Sequence, residues 1–115
     1  MGFRMYPRTK SRIDHSTNSW FNWGGNGVKR FLRQHCESFW CNESDDRWEI
    51  DRDEFVSLVK WLRKETKKNP DSICIKDDNI EYSNTEALSI FEEILKVTSN
   101  KHNFNYPDII YLDWM

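Results

Sequence analysis

Residues 19–31 read SWFNWGGNGVKRF, and they lead a polar N-terminal segment into the first predicted helix. The stretch combines aromatic rings, three glycines and two cations. Glycine costs backbone entropy and is placed where the chain needs positive φ or a close approach. The apolar residues that follow recur at helical spacing, which predicts a helix from about Gly27 to Phe39 or Trp40. The stretch therefore predicts a glycine loop that opens into a helix.

The start of this helix is a candidate site for a phosphate or an acidic partner. Free backbone N–H groups and the helix dipole attract anions there, and Lys29 and Arg30 would add positive charge in the first turn. Cations at that end oppose the dipole, and such local conflicts are typical of functional sites. The alternative is structural, a capped helix whose Trp20, Phe21 and Trp23 fill the core. The residues that we predict to bind a ligand or partner are Arg4, Arg8, Arg12, Trp20, Trp23, Gly24, Gly25, Gly27, Lys29 and Arg30.

Charge is distributed unevenly along the 115 residues, although the net charge is only −2. Residues 1–35 hold seven basic side chains against one acidic side chain, and the remainder holds ten against eighteen. Such asymmetry indicates a basic arm that docks on phosphate, or an arm that lies on the acidic remainder of the same chain. The aromatic content of 15% predicts a folded protein, and the length suits a single domain over residues 1–115.

Cysteine usage predicts a reducing compartment. Cys36, Cys41 and Cys74 are odd in number and form no regular disulfide framework. The N-terminus resembles neither a signal peptide nor a transit sequence, and no apolar run approaches the length of a transmembrane span, so we expect a cytoplasmic protein without membrane contact. A zinc site at His35 and the three cysteines is disfavoured, because the spacing of Cys36 and Cys41 is wider than a usual zinc knuckle. No cofactor is predicted.

The remaining pattern predicts an α+β fold in which three helices pack on a small antiparallel sheet. A second helix is expected to end near residue 68, after an Asp51–Glu54 capping box, and a third to follow the Ser83–Glu86 capping box. The sheet would contain a hairpin at about 72–82, joined by strands from the N-terminus and from the apolar C-terminus. Pro7 would end the N-terminal strand or place it on an edge of the sheet. The alternative for residues 109–115 is docking on a second subunit.

Two short patterns carry a resemblance to a known group of proteins. Residues 1–6 read MGFRMY, and residues 18–23 form an Asn/Ser-Trp-rich segment, NSWFNW, ahead of a helix. Together they resemble small uncharacterised proteins encoded by bacteriophages. The resemblance covers the N-terminal third of the chain. It implies a small accessory protein in the cytoplasm of the host cell, one that blocks a host factor or captures a small host molecule.

The function that we predict is non-enzymatic binding by occupancy, with a host protein or a phosphate-bearing small molecule on the segment at residues 19–31. One alternative is a single-stranded nucleic-acid-binding protein that uses the basic N-terminal arm. A sequence pI near 5.9 weighs against that alternative, and the Lys-rich end of the second predicted helix is explained by the helix dipole. A further alternative is a small enzyme in which Asp14 and His15 form an acid–base pair. No nucleophile, base and orienting group lie together in the sequence.

Overall fold

A computed structural model describes residues 5–9, 12–13, 25–44, 47–77, 80–98 and 108–114. Within these ranges lie three helices and seven strands, and this confirms the predicted α+β class. The helices are α1 (Gly25–His35), α2 (Arg52–Lys68) and α3 (Asn84–Thr98). The strands are β1 (Met5–Thr9), β2 (Arg12–Ile13), β3 (Trp40–Cys41), β4 (Arg47–Asp51), β5 (Ile73–Asp77), β6 (Ile80–Ser83) and β7 (Ile109–Trp114).

The larger sheet is antiparallel and has the strand order β2-β1-β7-β4-β3. The C-terminal strand β7 lies at its centre, because it pairs with β4 along one edge and with the first half of β1 along the other. Its two hydrogen-bonding edges are therefore occupied within the same chain. The apolar C-terminus forms a strand as predicted, but the sheet that it joins is not the one that contains the predicted hairpin. An oligomer through residues 109–115 would need a free strand edge on β7, and both edges of β7 are paired.

The hairpin of β5 and β6 forms, but as a separate two-stranded sheet. The N- and C-terminal strands do not join it, because β4 offers β7 a register of five residue pairs. The hairpin packs instead against α1 and α3. Its register shifts between Ile73 and Ile75, so the pairing of the hairpin is irregular at Cys74.

Strand β1 runs through Pro7 to Thr9, so Pro7 does not end the strand, and of the two predicted alternatives the pairing agrees with a position on an edge. Pro7 pairs with Leu112 of β7, whereas the pairing with β2 begins only at the next residue, Arg8. The side of β1 away from β7 is thus unpaired at Pro7 among the described strands. A proline lacks a backbone N–H and is tolerated at such a position.

One buried core joins the helices to the larger sheet. Strand β4 alternates, with Trp48 and Ile50 buried between exposed or half-buried neighbours, and Ile110 and Leu112 of β7 lie opposite them. The helices contribute Phe55, Leu58, Val59 and Leu62 from α2, and Ala87, Ile90, Phe91, Ile94 and Val97 from α3. Trp61 of α2 lies outside this core, because 42% of the residue is exposed.

The two predicted capping boxes have different outcomes. At the start of α3, the Ser83 amide donates to Glu86 Oε1 (2.9 Å) and the Glu86 amide donates to Ser83 Oγ (3.2 Å), so this box is confirmed. Asp51 is the N-cap residue of α2, but its side chain makes no capping hydrogen bond. Glu54 accepts instead from Ser38, which lies in the connection after α1. The prediction of an Asp51–Glu54 box is therefore wrong, because Ser38, which is remote in sequence, takes the place of Asp51 as the hydrogen-bond partner of Glu54.

Candidate functional site

Helix α1 begins two residues earlier than predicted, and this changes the expected glycine loop. Gly25 and Gly27 lie inside the first turn of the helix, and Gly27 is buried. Lys29 and Arg30 consequently fall in the second turn. The conflict between their charge and the dipole is weaker than the sequence suggests, because the dipole effect is confined to the first and last turns. At the other end, Arg33 and His35 occupy the last turn of α1, where positive charge is favourable.

The exposed cations of α1 also serve the packing of the helix. Arg30 donates from Nη2 to the backbone carbonyl of Lys76 in β5, at 3.0 Å. Arg33 lies 5.6 Å from the centre of the Phe39 ring and donates to Cys41 Sγ at 3.6 Å. Both guanidinium groups remain exposed, and each has five N–H donors, so these contacts engage only part of their capacity. Lys29 is half-buried.

The other predicted binding residues cannot be placed around α1. Arg4, Trp20, Trp23 and Gly24 lie outside the described residues, as do Asp14 and His15 of the alternative acid–base pair. For Arg8 and Arg12 only the backbone is described. Arg12 pairs with Thr9 and Arg8 pairs with Ile13, at the edge of the larger sheet. The described part of the candidate site therefore consists of Gly25, Gly27, Lys29 and Arg30.

His35 belongs to an aromatic cluster between α1 and α2. Its ring lies 4.7 Å from that of Phe31 and 4.5 Å from that of Trp61, between ring centres. Phe31 in turn stacks on Phe91 of α3 at 5.9 Å. Burial among these groups lowers the pKa of His35, because the charged imidazolium loses hydration there. The sequence gives no sign of the contact between His35 and Trp61, because Trp61 is remote in sequence.

The three cysteines are free thiols and lie in different surroundings. Cys36 is buried in the core, and desolvation, with a smaller contribution from the charge of Glu54, raises its pKa to about 11. Desolvation likewise raises the pKa of Cys74 to about 11. Cys41 is half-buried beside Arg33. Among the described side chains, no group of three or more histidines, cysteines and carboxylates is arranged to hold a metal ion.

A short hydroxyl–carboxylate contact, which the sequence did not indicate, lies at the start of α2. Ser38 Oγ donates to Glu54 Oε1 at 2.6 Å, the Ser38 amide donates to the same oxygen at 2.8 Å, and the Asp51 amide donates to Ser38 Oγ at 2.9 Å. The two hydrogen bonds from Ser38 lower the pKa of Glu54. The hydroxyl takes the place of a direct bond between Glu54 and the N-cap amide. In this geometry Ser38 links the amide of the N-cap residue Asp51 to Glu54 in the first turn of α2.

None of the helices in the described ranges combines the length and the apolar character that crossing a lipid bilayer would require. Comparisons of the chain with protein-family models, with curated proteins and with solved structures give no match.

Proposed function

We propose that this protein is a small non-enzymatic binding protein that acts by occupancy, and that α1 contributes its ligand surface. The observation that supports the proposal is the composition of α1. Its eleven residues contain Lys29, Arg30 and Arg33 but no carboxylate, and its first turn holds no acidic residue. A helix of this kind presents to a ligand both the backbone N–H groups at the positive end of its dipole and positively charged side chains, which favours a phosphate-bearing molecule or an acidic surface.

The other two helices differ from α1 in this respect. Asp53 and Glu54 occupy the first turn of α2, and Glu86 occupies the first turn of α3. Those carboxylates already compensate the positive end of the dipole. In α1 the compensation would come from the ligand. Trp20 and Trp23, five and two residues ahead of Gly25 in the sequence, are proposed to stack on the ligand or to act as anchors for a protein partner.

The resemblance of residues 1–6 and 18–23 to bacteriophage-encoded proteins extends this proposal to a biological role. In that role the protein would act in the host cytoplasm, where it would block a host protein or capture a phosphate-bearing small molecule. Both outcomes require only binding.

The test is a titration of intrinsic tryptophan fluorescence with nucleotides, cyclic nucleotides and pyrophosphate. We expect a saturable change with one of these ligands in the wild type. Binding should be lost in Trp23→Ala, and in Arg30→Gln it should weaken. Lys96→Gln is the matched control, because Lys96 is an exposed cation on α3. Circular dichroism establishes that each variant remains folded.

Unchanged affinity in both Trp23→Ala and Arg30→Gln would contradict the proposal, even if the wild type binds the ligand. A wild type that responds to no phosphate-bearing ligand would shift the proposal to a protein partner. That form is tested by pull-down from host lysate with the wild type and Trp23→Ala in parallel. A partner that both proteins capture equally would contradict it.

A further inference from the structure

The exposed face of α2 carries a concentration of lysines around one tryptophan. Lys60, Trp61, Lys64, Lys67 and Lys68 are all exposed, whereas Phe55, Leu58, Val59 and Leu62 of the same helix are buried. We call these five exposed residues the lysine face. Lys60, Lys64 and Lys68 follow one another at intervals of four residues, so they form a row along the helix with a rise of about 6 Å per step.

The helix dipole explains only one end of this face. Lys67 and Lys68 are in the last turn, where positive charge is favourable, but Lys60 and Lys64 lie one to two turns earlier. Like charges four residues apart destabilise a helix by about 0.2–0.5 kcal/mol per pair, and the row contains two such pairs.

Ion pairing within the protein does not explain the row either. Arg63, on the flank of the same helix, pairs with Glu92 of α3 at 2.8 Å. In the described part of the chain no carboxylate lies within ion-pair distance of the four lysines of the face. Glu65 is the nearest acidic residue in sequence, and it is half-buried at the edge of the face. The charge of the lysine face is therefore left for solvent or for a partner.

Trp61 is the only large apolar side chain of the face, and it is held in place from beneath. Its ring lies 4.5 Å from His35 and 6.5 Å from Phe31, both on α1, while 42% of the residue stays exposed. An aromatic ring that is fixed on one side and open on the other is a platform for stacking. Lys64 and Lys68 lie three and seven residues after Trp61 and so share its side of the helix, and Lys60, next to Trp61 in sequence, begins the same lysine row.

We propose that the lysine face binds single-stranded nucleic acid, with a base on Trp61 and phosphates on Lys60, Lys64 and Lys68. Stacking on an aromatic ring needs an unpaired base, which favours a single strand over a duplex. Lysine is depleted in protein–protein interfaces, so four lysines around one tryptophan fit a protein partner poorly. A membrane-surface helix needs a broad apolar face, and this face exposes a single large apolar residue. The proposal is independent of the ligand surface on α1, and it rests on local charge although the whole chain is slightly acidic.

The experiment measures binding of a fluorescently labelled oligothymidylate of about 12 nucleotides by anisotropy, a length within the usual site sizes for single-strand binders. We expect binding that weakens as salt rises from about 50 to about 200 mM. The triple variant Lys60→Gln/Lys64→Gln/Lys68→Gln should reduce the slope of log affinity against log salt by about 2, since each phosphate contact contributes about 0.7 on single strands. Lys64→Gln should weaken binding, whereas Lys96→Gln on α3 should not.

Trp61 is tested separately from charge. Trp61→Ala should weaken binding by roughly 5- to 150-fold, the range for loss of one stacked base. Trp61→Phe retains a ring and should recover part of the loss, which guards against a variant that binds poorly because its α1–α2 contact has loosened. Glu65→Gln should tighten binding, because it removes the acidic residue at the edge of the face. Thermal melting establishes that each variant is folded under the conditions of the assay.

Four results would overturn the proposal. The first is that the wild type does not bind the oligothymidylate at about 50 mM salt, and the second is that the triple variant binds it with the same affinity as the wild type. The third is that a duplex binds more tightly than the single strand. The fourth is that polyglutamate displaces the labelled oligothymidylate as effectively as unlabelled oligothymidylate does. Arg30→Gln distinguishes this proposal from the one on α1. It should weaken the binding of a phosphate-bearing small molecule and leave the oligothymidylate affinity unchanged.

Discussion

Replacement of Ser38 by alanine removes the hydroxyl that joins the amide of Asp51 to the carboxylate of Glu54. The wild-type hydroxyl accepts from the Asp51 amide at 2.9 Å and donates to Glu54 Oε1 at 2.6 Å. The amide of Ser38 still donates to Glu54 in the variant, because it belongs to the backbone. The substitution thus removes two of the three hydrogen bonds that fix the connection after α1 against the start of α2.

The loss of stability follows from the nature of these two bonds. A hydrogen bond to a charged group contributes about 1.5–3 kcal/mol, and a neutral one about 0.5–1.5 kcal/mol. Ser38 and Glu54 are half-buried and Asp51 is exposed, so water replaces part of each bond. We therefore expect Ser38→Ala to lower the free energy of unfolding by about 2 kcal/mol, near the lower end of the summed range. For a domain of this size the melting temperature would fall by roughly 8 °C.

The assay is urea denaturation followed by circular dichroism at several pH values. Ser57→Ala serves as the matched control, because Ser57 is exposed on the same helix and its replacement should change stability by less than about 0.5 kcal/mol. The hydrogen bonds from Ser38 lower the folded-state pKa of Glu54 from its ordinary value of 4.5. Their stabilising effect is present above pH 4.5 and is lost as the pH falls through the folded-state pKa. The difference between wild type and Ser38→Ala should accordingly shrink in acid.

Two results would refute this reasoning. One is a loss below about 0.5 kcal/mol at neutral pH, which would mean that water fully replaces the hydroxyl. The other is a difference between the two proteins that stays constant from neutral pH to well below 4.5, which would show that Glu54 is not the partner whose charge matters. A double-mutant cycle with Glu54→Ala adds a direct measure, and we expect a coupling energy of about 1 kcal/mol or more.

Three further predictions concern the core, the thiols and the aromatic cluster. Phe91→Ala should lower the free energy of unfolding by about 3–5 kcal/mol in urea denaturation, because Phe91 is fully buried against Phe31; a loss near 1 kcal/mol would contradict that packing. Iodoacetamide at pH 8 should label Cys41 of the native protein before Cys36 and Cys74, whose pKa values are raised to about 11, as mass spectrometry would show; equal labelling of all three thiols would oppose this order. Because burial lowers the folded-state pKa of His35, its contribution to stability is present above pH 6.5 and is lost as the pH falls through the folded-state pKa. His35→Gln should flatten the decline in melting temperature between about pH 7.5 and 5.5, and an identical decline in both proteins would exclude His35 as its source.

Local sequence signals were sufficient for the α3 helix and for the hairpin. The Ser83–Glu86 capping box involves residues three apart, and both of its hydrogen bonds form. The strand character of the C-terminus is similarly local, since an apolar run rich in isoleucine favours an extended chain. For the candidate site, the composition of α1 was visible in the sequence, because a helix without a carboxylate can be read from consecutive residues.

Pairings between remote residues could not be read in this way. The sequence contains the Asp51–Glu54 pattern, and only the folded chain brings Ser38 between the two. The start of α1 was displaced by two residues, because glycine propensity favours a loop whereas the packing of Val28, Phe31 and Leu32 stabilises the helix.

The sequence by itself determined the α+β class, the approximate positions of α2 and α3 and the apolar strand at the C-terminus, because each depends on periodicity and caps within a short window. The tertiary structure decided that β7 lies between β1 and β4, that the hairpin stands apart from this sheet, and that Trp61 lies on the surface against His35. Strand order and exposure depend on which apolar faces meet, and that is settled by the free energy of burying the whole core rather than by any single segment.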